Sequence, residues 1–547
     1  MSRRVLRVRS LGRVRYREAH ALQRALLHHS REEYLLLLEH PHVYTLGVRA
    51  RAEHVLADPT ALGAELVRAD RGGDVTYHGP GQLVGYPILN VAMGPGSIPA
   101  YVQRVEQLII ETLADLGLPD VGRLEGYPGV WVEPAGELPR KICAIGVRVS
   151  RGRTMHGFAL NVEPDLAMFG HIVPCGIAEY SVTSLRAEGV QATMAEVIDA
   201  VVARAPELLA EVPAAPYVLE HEAASLPALV ARDAGSRPLE RRLRAAGVDS
   251  SSAVALSARK PEWLRVDAHM GEDYLALRRT MRRLDLVTVC EEAGCPNIYE
   301  CWADGTATFM INGERCTRAC GFCLVDTSHP LPIDPSEPQR VAEAVASMGL
   351  SHAVVTAVAR DDLSDGGAAA FAATIAAIRE LSPRTAVEVL IPDLKGDERA
   401  LQELFDAHPD VLNHNLETVL RLQRAVRPSA SYARSLAVLG RAKAAGLRTK
   451  SGIILGMGER EEEVLAALAD LASVGVDIVT IGQYLRPSAA HLPVARFWLP
   501  EEFARLADAA RAMGFAHVEA SPLTRSSYHA RQAAEAGAPS TAAAGIA

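Results

Sequence analysis

Between residues 308 and 482 the chain alternates short apolar runs with stretches of helical period. The runs 308–312, 353–358, 386–391, 411–416, 449–455 and 477–482 read as buried strands. Between them, 338–348, 397–407, 431–445 and 461–474 space their apolar positions three and four apart, as one face of a helix requires. Strict alternation of this kind predicts a parallel sheet with crossover helices, closed or partly closed into a TIM-like barrel. Functional groups then belong where strands end and loops begin.

The N-terminal part is less regular. Val5, Arg7 and Arg9 alternate with Leu6 and Val8 as a first strand would. Strand-like runs at 34–39, 83–89, 129–132 and 142–149 mix with helical patterns at 16–28 and 98–116. The pattern predicts a mixed α/β domain and leaves its topology open. Between the two parts, 213–259 is rich in proline, alanine and mixed charge, includes Ser250-Ser251-Ser252, and lacks strand patterns. It reads as a linker with room for a short helix, separating domains at 1–212 and 260–530. The small-residue tail 531–547 is expected to be disordered.

Composition adds limits. A chain of 547 residues exceeds what one core organises, and 49% hydrophobic with 22% charged residues is ordinary for globular protein. A net charge of −9 excludes a general nucleic-acid binder but leaves room for a local basic groove facing an acidic partner protein. No apolar run reaches the roughly 18 residues of a membrane span. The arginine-rich start leads into no apolar segment or cleavage site, so a cytoplasmic protein without membrane attachment is expected.

Six of the eight cysteines crowd into one stretch, in two triads: Cys290, Cys295, Cys301 and Cys316, Cys320, Cys323. Disulfide frameworks belong to small secreted domains, so metal binding is the better reading. The second triad, CxxxCxxC after a strand, can wrap one loop around three irons of a [4Fe–4S] cube and leave the fourth iron open to a small molecule. A zinc site would want paired ligands, which are missing.

That loop at the top of a βα barrel resembles the radical SAM superfamily. There the open iron chelates S-adenosylmethionine, whose reductive cleavage yields a radical that abstracts hydrogen from unreactive carbon. The segment CEEAGCPNIYEC from Cys290 resembles the auxiliary-cluster motif of lipoyl synthases. AVARDDLSDGGA from Ala357, EVLIPDLKGD from Glu388, NHNLET from Asn413, TKSGIILGMGE from Thr449, GQYLRPS from Gly482 and RSSYHA from Arg525 extend the match. Departures occur at Ala359, where relatives commonly carry aspartate, and in CLVDTSHP after Cys323.

The resemblance implies two [4Fe–4S] clusters, with the auxiliary one supplying inserted sulfur and held by Cys290, Cys295, Cys301 and Ser527. A hard alkoxide is a weaker iron ligand than thiolate, suitable for a cluster that is dismantled. It implies Cys316, Cys320 and Cys323 for the radical cluster, and an electron donor such as ferredoxin or flavodoxin. Asn415, Glu417, Lys450 and Glu459, read at strand ends, are the expected contacts to S-adenosylmethionine.

In the N-terminal part, Arg71-Gly72-Gly73-Asp74-Val75-Thr76-Tyr77-His78 opens a glycine-rich loop that is not a phosphate-binding Walker motif. Lys141 lies two residues before Cys143, so on a strand the two would share a face. Cys175, between Pro174 and Gly176, sits in a turn where a thiol can be exposed. Residue chemistry alone leaves both cysteines open as nucleophile. RGGDVTYHGPGQLVGYP, PRKICAIGVRV, MHGFALNV and IVPCGI resemble the lipoate protein octanoyltransferases, of the biotin and lipoate protein ligase fold.

That resemblance implies transfer of octanoyl from acyl carrier protein to a lysine of lipoyl domains, as in 2-oxoacid dehydrogenases and glycine cleavage H protein. Its pattern assigns the acyl-bearing nucleophile to Cys175 and the companion base to Lys141. Residues 71–78, Ala144-Ile145-Gly146 and Gly157-Phe158-Ala159 would shape the acyl tunnel, with backbone N–H groups available to an oxyanion. His78 could orient the nucleophile or bridge loops. Together the two halves imply octanoylation followed by insertion of two sulfurs at the sixth and eighth carbons. The alternative is an active C-terminal half with an N-terminal domain that only docks carriers.

Overall fold

Arginines alternate with apolar residues from the start of the chain, and Val5–Arg13 is a strand with Leu6 and Val8 fully buried beneath it. The computed structural model describes residues 4–177, 179–211, 215–224, 238–249, 253–265, 279, 287–288, 297 and 306–536. They group into two units, Met1–Ala224 and Ser225–Ala547.

The first unit is a nine-stranded sheet ordered Val218–Ala223, Val5–Arg13, Glu33–Glu39, Gln82–Ile88, Arg153–Asn161, Arg140–Ser150, Tyr127–Val132, Val121–Leu124, with Ser181–Val182 beside Arg140–Ser150. Helices Ser97–Asp115 and Met194–Leu208 cover one face. Tyr101, Val105, Leu108 and Ile109 recur at helical spacing and meet Val197, Val201 and Ala205 in one core. Thr193 and Glu196 close a capping box that starts the second helix. A three-stranded sheet, Glu65–Arg68, Val43–Leu46 and Val75–His78, lies apart from the nine.

Strand Val218–Ala223 falls in 213–259, where no strand pattern was legible. Its partner explains it: it runs parallel to Val5–Arg13, and Glu220 pairs with Arg7 and, at 2.6 Å, with Arg9, whose guanidinium is 2% exposed. A polar strand is stabilised here by buried charge pairing rather than by apolar burial.

The second unit is an eight-stranded sheet in chain order: Val287–Thr288, Thr306–Ile311, His352–Ala357, Ala386–Leu390, Val411–Asn413, Thr449–Leu455, Ile478–Gln483 and His517–Ala520. All neighbours are parallel except the first pair, as alternating strand and helix dictate. Phe309, Val355, Val389 and Leu412 face outward into a core with Phe371 and Leu404 of the covering helices. Among the alternate residues Thr308, His352, Glu388, Asn413 and Lys450 are polar and buried. Among the described residues no helix is long and apolar enough to cross a membrane. At the C-terminus, Ala530–Ala536 forms a helix where composition pointed to disorder, because Ala533 packs on Val411 and Ile478; the rest of the tail lies outside the described residues.

Lys450 and Glu388 form an ion pair at 3.0 Å, 0% and 1% exposed, with Asn413 donating to Glu388 at 3.0 Å. Burial alone would raise the Glu388 carboxyl, but Lys450, His352 and Asn413 overcome it and hold it below its ordinary value. Lys450→Met should therefore destabilise this unit by about 3–5 kcal/mol in urea unfolding, by stranding a buried carboxylate. Adding Glu388→Leu should recover most of the loss; a single variant as stable as the parent would contradict the pairing.

Buried histidines make the fold acid-sensitive, His40 and His414 among them. His40 bonds the Val14 carbonyl at 2.7 Å and the Tyr86 hydroxyl at 2.8 Å; His414 bonds the Ile391 carbonyl at 2.9 Å and Ser435 at 3.0 Å. Burial lowers each to about 4. As pH falls from about 6.5 toward 4, the unfolded chain takes up protons that the folded one refuses, so stability declines across that window. The urea midpoint should drop accordingly, and His40→Gln should lessen the decline in the first unit, to which the buried His78 and His156 also contribute; a flat parent profile would refute the linkage.

Candidate active sites

In the first unit one cavity of about 750 Å³ gathers Arg71, Gly72, Gly73, Asp74, Thr76, His78, Ala144, Ile145, Gly146, Gly157, Phe158, Ala159, Lys141 and Cys175. Val75 and Tyr77 are the expected lining residues that it does not gather. Alternation along Val75–His78 turns Thr76 and His78 toward the cavity and packs Val75 and Tyr77 against Tyr44 and Phe169. His78 bonds Gln82 at 2.8 Å and leans toward Thr45, so it is tied into the loop framework. Arg71 is 7% exposed and donates to the Thr45 carbonyl and hydroxyl and to the Gly72 carbonyl. Burial pulls its pKa down, offset in part by Tyr16 and Cys175.

The two cysteines separate cleanly. Cys143 is fully buried in the sheet core, and burial pushes its thiol well up. Cys175 lines the cavity, in a left-handed conformation at φ 58°, ψ 15°. Lys141 and Cys143 do not share a face as regular alternation predicts. Lys141 opposes Trp131 while Cys143 opposes the adjacent Val130, so a bulge at Ile142 sends Lys141 into the cavity and Ile142 and Cys143 into the core. Lys141 Nζ stands 4.6 Å over the Trp131 ring and donates to the Pro128 carbonyl at 3.2 Å.

In the second unit the CxxxCxxC loop follows strand Thr306–Ile311. Its three cysteines are partly buried and unpaired as disulfides. Backbone bonds pin the loop on several sides: Cys316 N to Asp326 O at 2.8 Å, Thr317 N to Ala359 O at 2.9 Å, and Gly321 N to Val426 O at 2.8 Å. Arg318, inside the loop, pairs with Asp361 at 2.8 Å and with the fully buried Asp393 at 2.6 Å, and Arg434 meets Asp393 from the other side at 3.2 Å. The Arg318 N–H points to Cys316 Sγ at 3.4 Å. Burial raises the Cys320 thiol and pushes the Cys323 thiol up to about 12. Among the described residues, His20, Asp70 and His156 form a group of three whose donor atoms lie mutually within 4.8 Å.

Asn415 and Glu417 stand beside this loop. Asn415 Nδ2 donates to Glu417 Oε1 at 3.1 Å and to Ser526 Oγ at 2.7 Å, and Arg427 holds the Asn415 and Leu416 carbonyls. Ser527 follows the anchored Ser526 and is partly exposed. Lys450 and Glu459 are not brought to the loop. Lys450 begins its strand and closes on Glu388; Glu459 caps Gly456 N and Met457 N and accepts from Thr418. Cys290, Cys295 and Cys301 lie outside the described residues. The motifs singled out neither Arg318 with Asp393 nor Trp131, and they passed over His54 and His156 on the cavity wall; the Asp in RDDL and PDLK was the available sign of the first pair.

Both folds now have counterparts among known proteins. Residues 15–205 match the lipoyl protein ligase A/B catalytic domain, 248–295 the N-terminal domain of lipoyl synthase of the radical SAM family, and 310–471 the radical SAM superfamily. The lipoyl synthase of Rubrobacter xylanophilus is 57% identical over 278 residues, covering 50% of this chain and 87% of that one. That of Mycobacterium ulcerans is 57% identical over 272 residues, covering 50% and 84%. A solved bipartite lipoate protein ligase from Thermoplasma acidophilum aligns with 41% of this chain and 88% of its own, at 20% identity and TM-score 0.33. The class is therefore a radical SAM, sulfur-inserting enzyme that carries a lipoyl-transferase-type domain at its N-terminus, using S-adenosylmethionine and [4Fe–4S] clusters. Within that class, the chain belongs to the lipoyl synthase family.

Proposed function

We propose that one chain completes protein lipoylation, octanoylating a carrier lysine in its first unit and inserting two sulfurs in its second. The observation that carries the first step is the meeting of Cys175 and Lys141 in one cavity with the 71–78 loop. The donor is octanoyl-acyl carrier protein, the acceptors are lipoyl domains of 2-oxoacid dehydrogenases and glycine cleavage H protein, and a ferredoxin or flavodoxin supplies electrons.

Cys175 takes the octanoyl group as a thioester. Lys141, screened from water beside Trp131, then receives the proton of the incoming lysine amine as its nitrogen attacks, and Cys175 leaves as thiolate. Arg71, buried and without a carboxylate in ion-pair contact among the described residues, is a fixed positive charge for the acyl oxygen.

In the second unit Cys316, Cys320 and Cys323 would hold the radical cluster, which with S-adenosylmethionine supplies a carbon-centred radical when bound. Arg318, locked by Asp361 and Asp393, keeps the loop in shape before metal arrives. Asn415 and Glu417 would supply polar contacts to S-adenosylmethionine, while Ser526, bonded to Asn415, anchors the segment that carries Ser527, which would join Cys290, Cys295 and Cys301 in holding the auxiliary cluster.

Mass spectrometry of the chain after incubation with octanoyl-acyl carrier protein should find the added acyl group on Cys175. No adduct, with carrier domains still bound, would favour a docking role for the first unit. Comparing the fused chain with its separated halves tests direct passage of the carrier; equal rates of lipoylation would exclude it.

A further inference from the structure

The turn that carries Cys175 rests on a histidine–carboxylate pair whose carboxylate lies in the 71–78 loop and whose histidine lies outside every motif described above. His54 Nδ1 and Asp74 Oδ2 are 2.7 Å apart, and both residues line the cavity with Cys175. A Cβ on Gly176, the next residue, would fall 2.8 Å from Asp74 Oδ2 and 3.4 Å from His54 Cε1, so the backbone after the thiol packs directly on the pair. Gly176 also sits at φ +71°, which leaves no room for a side chain on either count.

The pair is fixed relative to the thiol from the chain's two sides. Val173 N donates to the His54 carbonyl at 2.9 Å, Leu56 N donates to the His171 carbonyl at 2.8 Å, and Val55 bridges Ile172 antiparallel. Asp74 is held by its own loop, its Oδ1 accepting from Val75 N at 2.6 Å. A carboxylate on Nδ1 sets the tautomer that carries its proton there, and so leaves Nε2 as the basic nitrogen. No described side chain bonds Nε2. The other charged groups around it are Arg49 and Arg51 on its own loop, Arg71 from the Asp74 loop, and Lys141 across the cavity. Lys141 is engaged by Trp131 and Pro128, on a different wall.

We propose that His54, oriented by Asp74, carries the proton for Cys175 in the first half-reaction, leaving Lys141 to the second. The inference rests on Cys175 being the acyl-bearing residue. His54 Nε2 takes the Cys175 thiol proton as sulfur attacks the donor thioester carbonyl. The carbon–sulfur bond to the donor breaks, and His54 returns the proton to the departing thiolate. Charge and protons balance with no further reactant.

The test is single-turnover acylation of Cys175 by octanoyl-acyl carrier protein in the full chain, followed by mass spectrometry at a series of pH values. His54→Gln should slow acylation by roughly 10²- to 10⁴-fold and remove the acidic limb of the rate profile. Asp74→Asn, which unsettles the tautomer, should slow it less and displace that limb. Added imidazole should restore part of the rate in His54→Ala, which a purely structural role would not permit. Acylation of His54→Gln at the parent rate, or a uniform slowing at every pH without imidazole rescue, would overturn the proposal. Absence of any Cys175 adduct in the parent would instead overturn the acyl-Cys175 reading beneath it.

Discussion

Anaerobically prepared Cys316→Ala protein should hold about half the iron and sulfide of the parent and insert no detectable sulfur. The loop offers three thiolates, and losing one would leave two of the four irons without a protein ligand in a partly buried site. Burial has already raised the Cys320 and Cys323 thiols, so without iron they stay protonated and neutral, and the site cannot trade the cluster for another charge arrangement. Cys290→Ala should lose a similar share of iron while the remaining cluster still cleaves S-adenosylmethionine. Arg318→Ala separates folding of the loop from ligation. It leaves the buried Asp393 carboxylate, which burial would raise but Arg318 and Arg434 together hold far below its ordinary range, with Arg434 alone. We expect lower cluster occupancy after reconstitution there, with all three cysteines present. Full iron content in Cys316→Ala would remove the loop from consideration as a cluster site.

Cys175→Ser should reduce octanoyl transfer by about a thousandfold or more while leaving sulfur insertion into a supplied octanoyl carrier intact. A hydroxyl at this position is a far weaker nucleophile and leaving group than thiolate. Cys143→Ala should transfer at close to the parent rate, since its thiol is enclosed in the sheet core and held neutral by burial. Alkylation by iodoacetamide should therefore fall on Cys175 and spare Cys143 in the folded chain. The reverse pattern, with Cys143→Ala inactive and Cys175→Ser active, would exchange their roles.

How much of this was legible in the residues depends on the range of the forces involved. The strands and helices of the second unit followed from period, because each buries one face on a regular layer; Thr449–Leu455 begins and ends where its apolar run does. Motif spacing placed Cys316, Cys320 and Cys323 on one loop for the same local reason. Long-range effects were not legible. The bulge at Ile142 that parts Lys141 from Cys143 depends on the neighbouring strand Tyr127–Val132, and strand Val218–Ala223 depends on arginines at the far end of the chain. Lys450 was read at a strand end as a cofactor contact, and the ion pair it makes with Glu388, two strands away, was not legible there. His54 carries no motif at all, and its carboxylate partner is twenty residues on.

The pairing of Val218–Ala223 with Val5–Arg13 also determines how the two activities can be separated in practice. A first half ended at residue 212 would lose that strand, leaving Arg9 without Glu220 and a row of backbone donors and acceptors open along the sheet. An edge of that kind invites pairing with another chain, and such a truncation should aggregate whatever its catalytic residues can do. A half carried through Ala224 keeps the native edge strand, whose Glu220, His221 and Glu222 discourage pairing with another chain, so a separation of the activities succeeds or fails on the placement of the cut by a dozen residues.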